Sequence, residues 1–212
     1  MTTFPGFSDR AVAFYAELAA NNTREFWTAH KAVYESEVRD PMRALVGDLE
    51  SEFGPAKLFR PHRDIRFSND KTPYKTQQGA LAGDDSGVGY YVKLDSGGLT
   101  AGGGFRAHSP AQVAGYRSAV DAEATGVELS EVVAGLRADG FDIEGEELKT
   151  KPSGYAADHP RIELLRCRSL MAFKEFGTPA WLASPAAFDQ VRNAWRQVTP
   201  LRQWVAANIG PA

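Results

Sequence analysis

A β-hairpin pattern in the middle of the chain constrains the fold more than any other feature. Residues 88–94 predict a strand rich in valine, tyrosine and leucine, residues 95–98 have the composition of a turn, and residues 99–105 predict the returning strand. Apolar residues recur at helical spacing on both sides of this hairpin. We therefore predict an α+β fold in which an antiparallel sheet lies between helices at both chain ends.

Capping residues mark the helix boundaries before the hairpin. Ser8 predicts a helix over about residues 9–20, and Thr23 predicts the start of a second helix. Asp40-Pro41 either begins a new helix or only kinks one long helix, which Gly54-Pro55 ends. The part of the chain before the hairpin is therefore predicted to be mostly helical.

The same signals predict the elements after the hairpin. A capping box begins a helix at Ser109, which Gly126 ends, and a shorter helix follows and ends at Gly140. The remaining predictions are a helix that begins at Pro160 with Asp158 or His159 as its cap, a strand over residues 170–176, and two C-terminal helices that begin at Ser184-Pro185 and Thr199-Pro200.

Composition places the chain among ordinary globular proteins. Of its 212 residues, 43% are hydrophobic and 24% are charged, and no linker separates two apolar cores. No apolar run approaches the roughly eighteen residues of a membrane span, and the N-terminus lacks the pattern of a secretory signal. Cys167 is the single cysteine, which suits a reducing compartment. We therefore predict a single domain over residues 1–212, a cytoplasmic location and no membrane partner.

Motifs that identify common enzyme classes are missing. The sequence has no phosphate-binding loop of the nucleotide hydrolases, no dinucleotide fingerprint, no zinc-protease helix motif and no serine-hydrolase elbow. We therefore predict no cofactor, and the sequence leaves open whether the protein is an enzyme.

The charges are distributed unevenly along the chain. The net charge is −3, yet residues 57–75 hold six cations and two acids, and residues 149–168 hold five cations and two acids. A protein that binds nucleic acid over its whole surface is normally basic overall. We therefore expect no binding to long duplex nucleic acid and, instead, a local basic site.

The segment RPHRDIRFSNDKTPYKT, residues 60–76, is the strongest candidate for that site. Its five cations are Arg60, Arg63, Arg66, Lys71 and Lys75. Arginine side chains match phosphate and carboxylate groups with two parallel hydrogen bonds, and a strand over residues 64–67 would present them, with Asp64 and Asp70 orienting the guanidinium groups. The alternative is a salt-bridged surface hairpin that binds no ligand.

A second basic cluster lies in residues 148–166. If a helix begins after Asp158, its free backbone N–H groups favour anions, with Tyr155, His159 and Arg161 beside them. The alternative is simple helix capping by Asp158.

Three consecutive glycines, Gly102–Gly104, also need an explanation. Glycines weaken a strand, so they indicate close approach of a ligand at Gly103, close approach of another backbone segment, or a bulge. A metal site built from His62, Asp64, Asp158 and His159 is conceivable, but nothing in their spacing requires one, and we predict none.

Four segments together resemble one known family. In order, they are NNTREFWTAHKAVYESEVRDP, RPHRDIRFSNDKTPYKT, GYYVKLDSGGLTAGGGF and KPSGYAADHPRIELLR. This combination resembles the mainly bacterial family catalogued as domain of unknown function 2461. The resemblance implies one intact domain over about residues 4–207. It implies no particular activity, cofactor or catalytic residue.

The sequence supports two possible functions from different classes. The favoured one is a basic pocket, lined by both basic segments and the glycine strand, that binds a phosphorylated or other anionic small molecule. If the protein is an enzyme, Asp64, Asp70 and His159 are the candidate acid–base groups. The alternative is a non-enzymatic interaction module with separate acidic and basic faces. The sequence leaves the oligomeric state open.

Overall fold

The computed structural model describes residues 3–64, 66, 70–83, 87–145 and 147–209. The α-helices are α1 Asp9–Ala20, α2 Arg24–Val33, α3 Asp40–Phe53, α4 Pro110–Asp121, α5 Glu123–Ala138, α6 Ile162–Arg166 and α7 Ala186–Asn208. A π-helix covers Tyr34–Arg39, and a 3₁₀-helix covers Ala180–Ala183. The strands are β1 Ala56–Leu58, β2 Gln77–Gly83, β3 Val88–Asp95, β4 Gly98–Arg106, β5 Asp142–Glu144 and β6 Ser169–Gly177.

The described strands form one antiparallel sheet of six strands in the order β1-β2-β3-β4-β6-β5. At one edge Ala56 of β1 lies opposite Ala82 of β2, and at the other Asp142 of β5 lies opposite Phe173 of β6. The predicted hairpin is β3 and β4, and the predicted strand over residues 170–176 lies within β6. The predicted α+β class, with helices towards both chain ends, is confirmed.

The backbone divides into two compact units that alternate along the sequence. Unit 1 comprises Met1–Ala82, Tyr91–Ala101 and Glu175–Asn193. Unit 2 comprises Gly83–Tyr90, Gly102–Lys174 and Ala194–Ala212. The single domain over residues 1–212 stays a prediction.

In unit 1, capping fixes the first two helices as predicted. The Ser8 hydroxyl accepts a hydrogen bond from the backbone N–H of Ala11, and the Thr23 hydroxyl accepts one from Phe26. Helix α1 buries Phe14 and Tyr15, whose rings meet edge to face at 5.2 Å. These aromatic contacts form the centre of the unit 1 core.

Helices α2 and α3 are joined without a break by the π-helix. Asp40 has helical backbone angles, and its N–H donates to the carbonyl of Glu35 five residues earlier, so it does not begin a new helix. In a regular α-helix the ring of Pro41 would clash with the carbonyl of Glu37, and the wide π turn lies directly before this proline. The second alternative, one long helical run past Pro41, is therefore the one observed, and Gly54 ends it at φ +83°.

In unit 2 the predicted cap of α4 is present, but its predicted end is wrong. The Ser109 hydroxyl accepts from the N–H of Gln112, as a capping box requires. Helix α4 ends at Asp121, because the backbone of Ala122 is extended, and Gly126 lies inside the next helix, α5. A Cβ at Gly126 would lie 2.1 Å from the Val120 carbonyl oxygen, so close packing, not helix termination, explains this glycine.

The C-terminal helix is also longer than predicted. Helix α7 runs through Pro200, whereas Thr199-Pro200 predicts a new start. The Thr199 hydroxyl donates instead to the Trp195 carbonyl at 3.0 Å, in the same helix. Since α7 buries Trp195, Val198, Leu201 and Trp204 along one stripe, tertiary packing outweighs the backbone hydrogen bond that proline removes.

None of the described helices combines the length and the apolar character that crossing a membrane requires.

Cys167, in unit 2, is buried against α6. Its side chain is 5% exposed, and its thiol donates to the Glu163 carbonyl at 3.4 Å. Burial raises the pKa of the Cys167 thiol to about 11. This arrangement is that of a small buried apolar residue and is unsuited to a nucleophile.

We therefore expect Cys167 to react with iodoacetamide at pH 8 at least about a hundredfold more slowly than free cysteine, because the thiolate is the reactive form. The rate should approach that of free cysteine in denaturant. Mass spectrometry of timed alkylation measures both rates. Fast alkylation of the folded protein would contradict the burial of this thiol.

Candidate functional site

The basic segment of residues 60–75 folds back on itself in unit 1. His62 and Tyr74 form an isolated antiparallel bridge, and the N–H of Lys75 donates to the Pro61 carbonyl at 2.8 Å. The side chain of Asn22 donates to the Tyr74 carbonyl at 2.9 Å and accepts from its N–H at 3.1 Å. The loop before α2 therefore holds this segment in place.

The predicted strand over residues 64–67 is not formed at Asp64 or Arg66, which lie in irregular backbone. Its other two positions, residues 65 and 67, lie outside the described residues. Asp64 accepts hydrogen bonds from the Arg66 backbone N–H and guanidinium group, a local contact between residues two positions apart.

Two predicted ligand residues are paired with the acids that were expected to orient them. Arg66 Nη2 lies 2.7 Å from Asp64 Oδ2, and Arg63 Nη1 lies 3.0 Å from Asp70 Oδ2. The Arg66 hydrogen bonds lower the pKa of Asp64, and hydrogen bonds from Thr72 lower the pKa of Asp70. Both carboxylates are thus stabilised in their charged form, which makes them weak general bases. These ion pairs are the ones expected for the alternative of a salt-bridged hairpin. They do not test whether a ligand binds nearby.

Arg60 and Lys75 have different surroundings. The Lys75 ammonium group lies 5.3 Å from the centre of the Phe59 ring. Burial lowers the pKa of Lys75, and the positive charges of Arg60 and Arg63 lower it further. Within the described part of the chain, the exposed Arg60 side chain makes no hydrogen bond or ion pair. Positive charges therefore accumulate at this end of the segment. Lys71, another of the predicted ligand residues, is exposed.

A cavity of about 640 Å³ lies beside Arg60, entirely within unit 1. One side is formed by α2 and the π-helix, and the other by the segment after β1 together with Tyr74 and Gln78. Its lining residues are Trp27, Thr28, Lys31, Tyr34, Glu35, Arg39, Leu58, Phe59, Arg60, Pro61, His62, Tyr74 and Gln78. The π-helix, a deviation often found at functional sites, thus contributes to the candidate site.

Three buried aromatic residues, Trp27, Tyr34 and Tyr74, form what we call the aromatic floor of this cavity. The Trp27 and Tyr74 rings stack at 4.3 Å with an 8° angle between their planes, and the Tyr34 ring lies 4.8 Å from that of Trp27. The Tyr34 hydroxyl donates to Gln78 Oε1 at 2.6 Å, and Gln78 Nε2 donates to the Phe59 carbonyl at 3.0 Å. Burial raises the pKa of Tyr34 to about 12, so its hydroxyl stays protonated as a donor. The floor is therefore held in one arrangement by its own contacts.

Three exposed cations, Lys31, Arg39 and Arg60, form the cation rim. Glu35 is the acid among the lining residues, and Arg39 Nη1 donates to both of its carboxylate oxygens, at 3.0 and 2.8 Å. As for Arg60, no hydrogen bond or ion pair is found for the Lys31 side chain in the described residues. The rim therefore carries two positive charges that its acid does not balance.

Most of these cavity residues were missed in the sequence. Of the predicted ligand residues, Arg60 lines the cavity and Lys75 lies against its neighbour Phe59. Trp27 and Tyr34 follow a helical period, which predicts core positions. In the structure both residues are buried, and both also line the cavity. Lys31 and Arg39 are two helical turns apart, which places them on one face, but the spacing alone does not show that a loop covers that face.

Arg161 belongs to unit 2 and is almost fully buried, at 9% exposure. Its Nε donates to the Val120 carbonyl at 2.8 Å, and its Nη2 donates to the Asp121 carbonyl at 3.0 Å and lies 3.1 Å from a Glu123 carboxylate oxygen. These are carbonyl groups at the C-terminal end of α4, which the guanidinium group caps. The observed partners of Arg161 are thus protein groups.

The helix after Asp158 differs from the prediction. Helix α6 begins only at Ile162, spans five residues and has no side-chain cap, so neither Asp158 nor His159 caps a helix at Pro160. His159 Nδ1 accepts from the Arg161 N–H at 3.0 Å, and its Nε2 lies 3.2 Å from Asp121 Oδ1. The Tyr155 ring lies 6.4 Å from the His159 ring. The expectation that this cluster and the Arg60–Lys75 segment line one pocket stays a prediction, as do the assigned roles of its residues.

The glycine strand approaches neighbouring backbones closely. A Cβ at Gly103 would lie 2.4 Å from the Gly89 carbonyl oxygen on β3, and one at Gly102 would lie 2.0 Å from that of Ala172 on β6. Close approach of another backbone segment, one of the predicted alternatives, is therefore observed. A ligand contact at Gly103 stays a prediction. Among the residues that the structure describes, no three metal-ligating side chains cluster in a way that could hold a metal ion.

Comparison with known proteins identifies the family of this chain. A family model described as "Conserved hypothetical protein (DUF2461)" matches residues 10–204. A search of the curated proteins found no match.

Proposed function

The chain belongs to the DUF2461 family of conserved hypothetical proteins, and we propose, from the cavity in unit 1, that it binds a phosphorylated or otherwise anionic small molecule. The observation that carries this proposal is the cation rim above the aromatic floor. An unbalanced pair of cations at the mouth of a preformed apolar cavity is the arrangement expected for an anionic ligand.

The charge of the rim fits a single phosphate group. A phosphate monoester carries about −1.5 to −2 charges at neutral pH and offers three acceptor oxygens. Neither Lys31 nor Arg60 makes an ion pair in the described residues, although Arg60 lies near enough to Asp64 to help lower the pKa of that carboxyl, while Arg39 is held by Glu35. Lys75, whose pKa is lowered by burial and further by the charges of Arg60 and Arg63, adds a third cation to this end of the segment. Ligand binding would relieve the repulsion among these cations.

The expectations about location, catalysis and the alternative function rest on the sequence. A reducing, cytoplasmic setting suits a chain with one buried cysteine. Catalysis by Asp64, Asp70 or His159, and an interaction module with separate charged faces, stay predictions. These three residues are absent from the described lining of the cavity, so ligand binding does not depend on them.

We expect inorganic pyrophosphate to raise the melting temperature of the protein. At about ten times its Kd, mass action stabilises the folded state by about 1.4 kcal/mol, which corresponds to about 3–5 °C for a chain of this size. Arg60→Ala should weaken binding about tenfold, because it removes a charged hydrogen-bonding group. Calorimetric titration measures both.

The matched control is Arg137→Ala, which removes an exposed positive charge in unit 2 outside both basic segments. This variant should bind pyrophosphate as the wild type does. Equal affinities of wild type, Arg60→Ala and Arg137→Ala would show that any binding is non-specific and would rule out the proposed site.

A further inference from the structure

We propose that the ligand of the unit 1 cavity carries its phosphate on a planar aromatic ring, as a nucleoside monophosphate does. This inference rests on the proposed function and adds a second half to the ligand. It follows from the size of the cavity, from the chemistry of its lining and from the way the polar groups of the floor are satisfied.

The cavity is too large for an inorganic anion alone. Its volume of about 640 Å³ lies in the range of about 300–1,000 Å³ that is typical of sites for small organic molecules. A phosphate group beside Lys31 and Arg60 would occupy only the rim. The ligand must therefore extend over the aromatic and apolar part of the lining if it is to fill the site.

That part of the lining favours a flat ring. It contains the aromatic floor together with Phe59, Leu58 and Pro61, and the exposed imidazole of His62 stands beside them. The His62 ring lies 5.1 Å from that of Tyr74 and 6.3 Å from that of Trp27. Aromatic and imidazole faces bind planar rings by stacking, with little energy lost to side-chain ordering when the rings are already fixed.

The polar groups that link Tyr34 to Gln78 are already engaged. The Tyr34 hydroxyl donates to Gln78 Oε1, and Gln78 Nε2 donates to the carbonyls of Phe59 and Gly79. These two side chains hold the floor in place, and their donors are used within the protein. Stacking tolerates any base, so the site should accept purine and pyrimidine rings alike.

Titration calorimetry with four probes separates the two halves of the ligand. The probes are adenosine monophosphate, cytidine monophosphate, ribose 5-phosphate and adenosine, each at 150 mM salt. Adenosine monophosphate should bind at least about tenfold more tightly than ribose 5-phosphate, which lacks the ring, and than adenosine, which lacks the charge. Cytidine monophosphate should bind within about fivefold of adenosine monophosphate.

Two variants place the effect in the cavity. Phe59→Leu should weaken adenosine monophosphate but leave ribose 5-phosphate unchanged, whereas Arg60→Ala should weaken both. Phe188→Leu is the control, because Phe188 is half-buried in unit 1 on α7 and lies against Arg192. It should leave all affinities unchanged.

Different outcomes would contradict the aromatic-ring inference and the proposed anion site. Equal binding of ribose 5-phosphate and adenosine monophosphate would overturn the aromatic half and keep the anion site. Equal binding of adenosine and its monophosphate, or no binding of any phosphorylated probe, would overturn the proposed function itself. A strong preference for one base would contradict recognition by stacking alone.

Discussion

Gly102→Ala is expected to lower the free energy of unfolding by about 3 kcal/mol or more, as overpacking against an immovable neighbour does. The added Cβ would lie 2.0 Å from the carbonyl oxygen of Ala172, 2.9 Å from its carbonyl carbon and 2.9 Å from the Cα of Phe173. All three are backbone atoms of β6, the strand that lies between β4 and the edge strand β5, so no side chain can rotate away. The methyl group can be accommodated only if β4 and β6 separate.

Gly135→Ala is the matched control. Gly135 lies within α5, is exposed, and has no heavy atom within 4 Å of its ideal Cβ position. Alanine is the better helix former there, so a gain of about 0.5 kcal/mol is expected. Urea denaturation of both variants measures the difference. A Gly102→Ala protein as stable as the wild type would show that β4 and β6 do not approach as closely as described.

The hairpin could be predicted because its signals are local, whereas its place in the sheet could not. The strand, turn and returning strand of β3 and β4 follow one another in sequence. The strand whose backbone leaves no room for a side chain at Gly102 is β6, and it begins more than sixty residues later. Pattern alone therefore left three explanations for the glycines, and the close backbone approach among them is visible only once the long-range pairing is known.

Proline positions illustrate how tertiary contacts override local signals. Pro41 and Pro200 both predict a helix boundary or kink, and both lie within continuous helical segments. In each case a buried stripe continues on both sides of the proline, with Val38 and Met42 around the first and Val198 and Leu201 around the second. The free energy of burying these side chains exceeds the cost of one missing hydrogen bond.

For a similar reason, only one side of the candidate site could be predicted from the sequence. The Arg60 segment stands out by composition, so its cations could be proposed from sequence. The opposite side of the cavity comes from α2 and the π-helix, and it is placed there by contacts such as the Asn22–Tyr74 hydrogen bonds, which join residues 52 positions apart. Helical periodicity predicts that Trp27 and Tyr34 are buried, but not that they border a cavity.

Arg161→Met is expected to cost about 3 kcal/mol of folding free energy, although methionine preserves much of the buried volume. The guanidinium group donates at 2.8 Å to Val120 and at 3.0 Å to Asp121, and removal leaves these carbonyls without that donor. Each unpaired buried group costs about 1–3 kcal/mol. Arg161→Lys should recover only part of the loss, because one ammonium group cannot reproduce the planar fork that reaches both carbonyls and Glu123.

Arg168→Met tests whether loss of charge alone explains the effect. Arg168 is exposed in unit 2, and its replacement should change stability by no more than about 0.5 kcal/mol. Chemical denaturation gives the stabilities, and pyrophosphate titration of the folded Arg161→Lys protein gives a second readout. Unchanged affinity together with lowered stability would assign Arg161 to the end of α4. Lowered affinity with unchanged stability would instead support the sequence-based prediction that Arg161 contacts the ligand, since a residue that only caps a helix has no reason to alter binding.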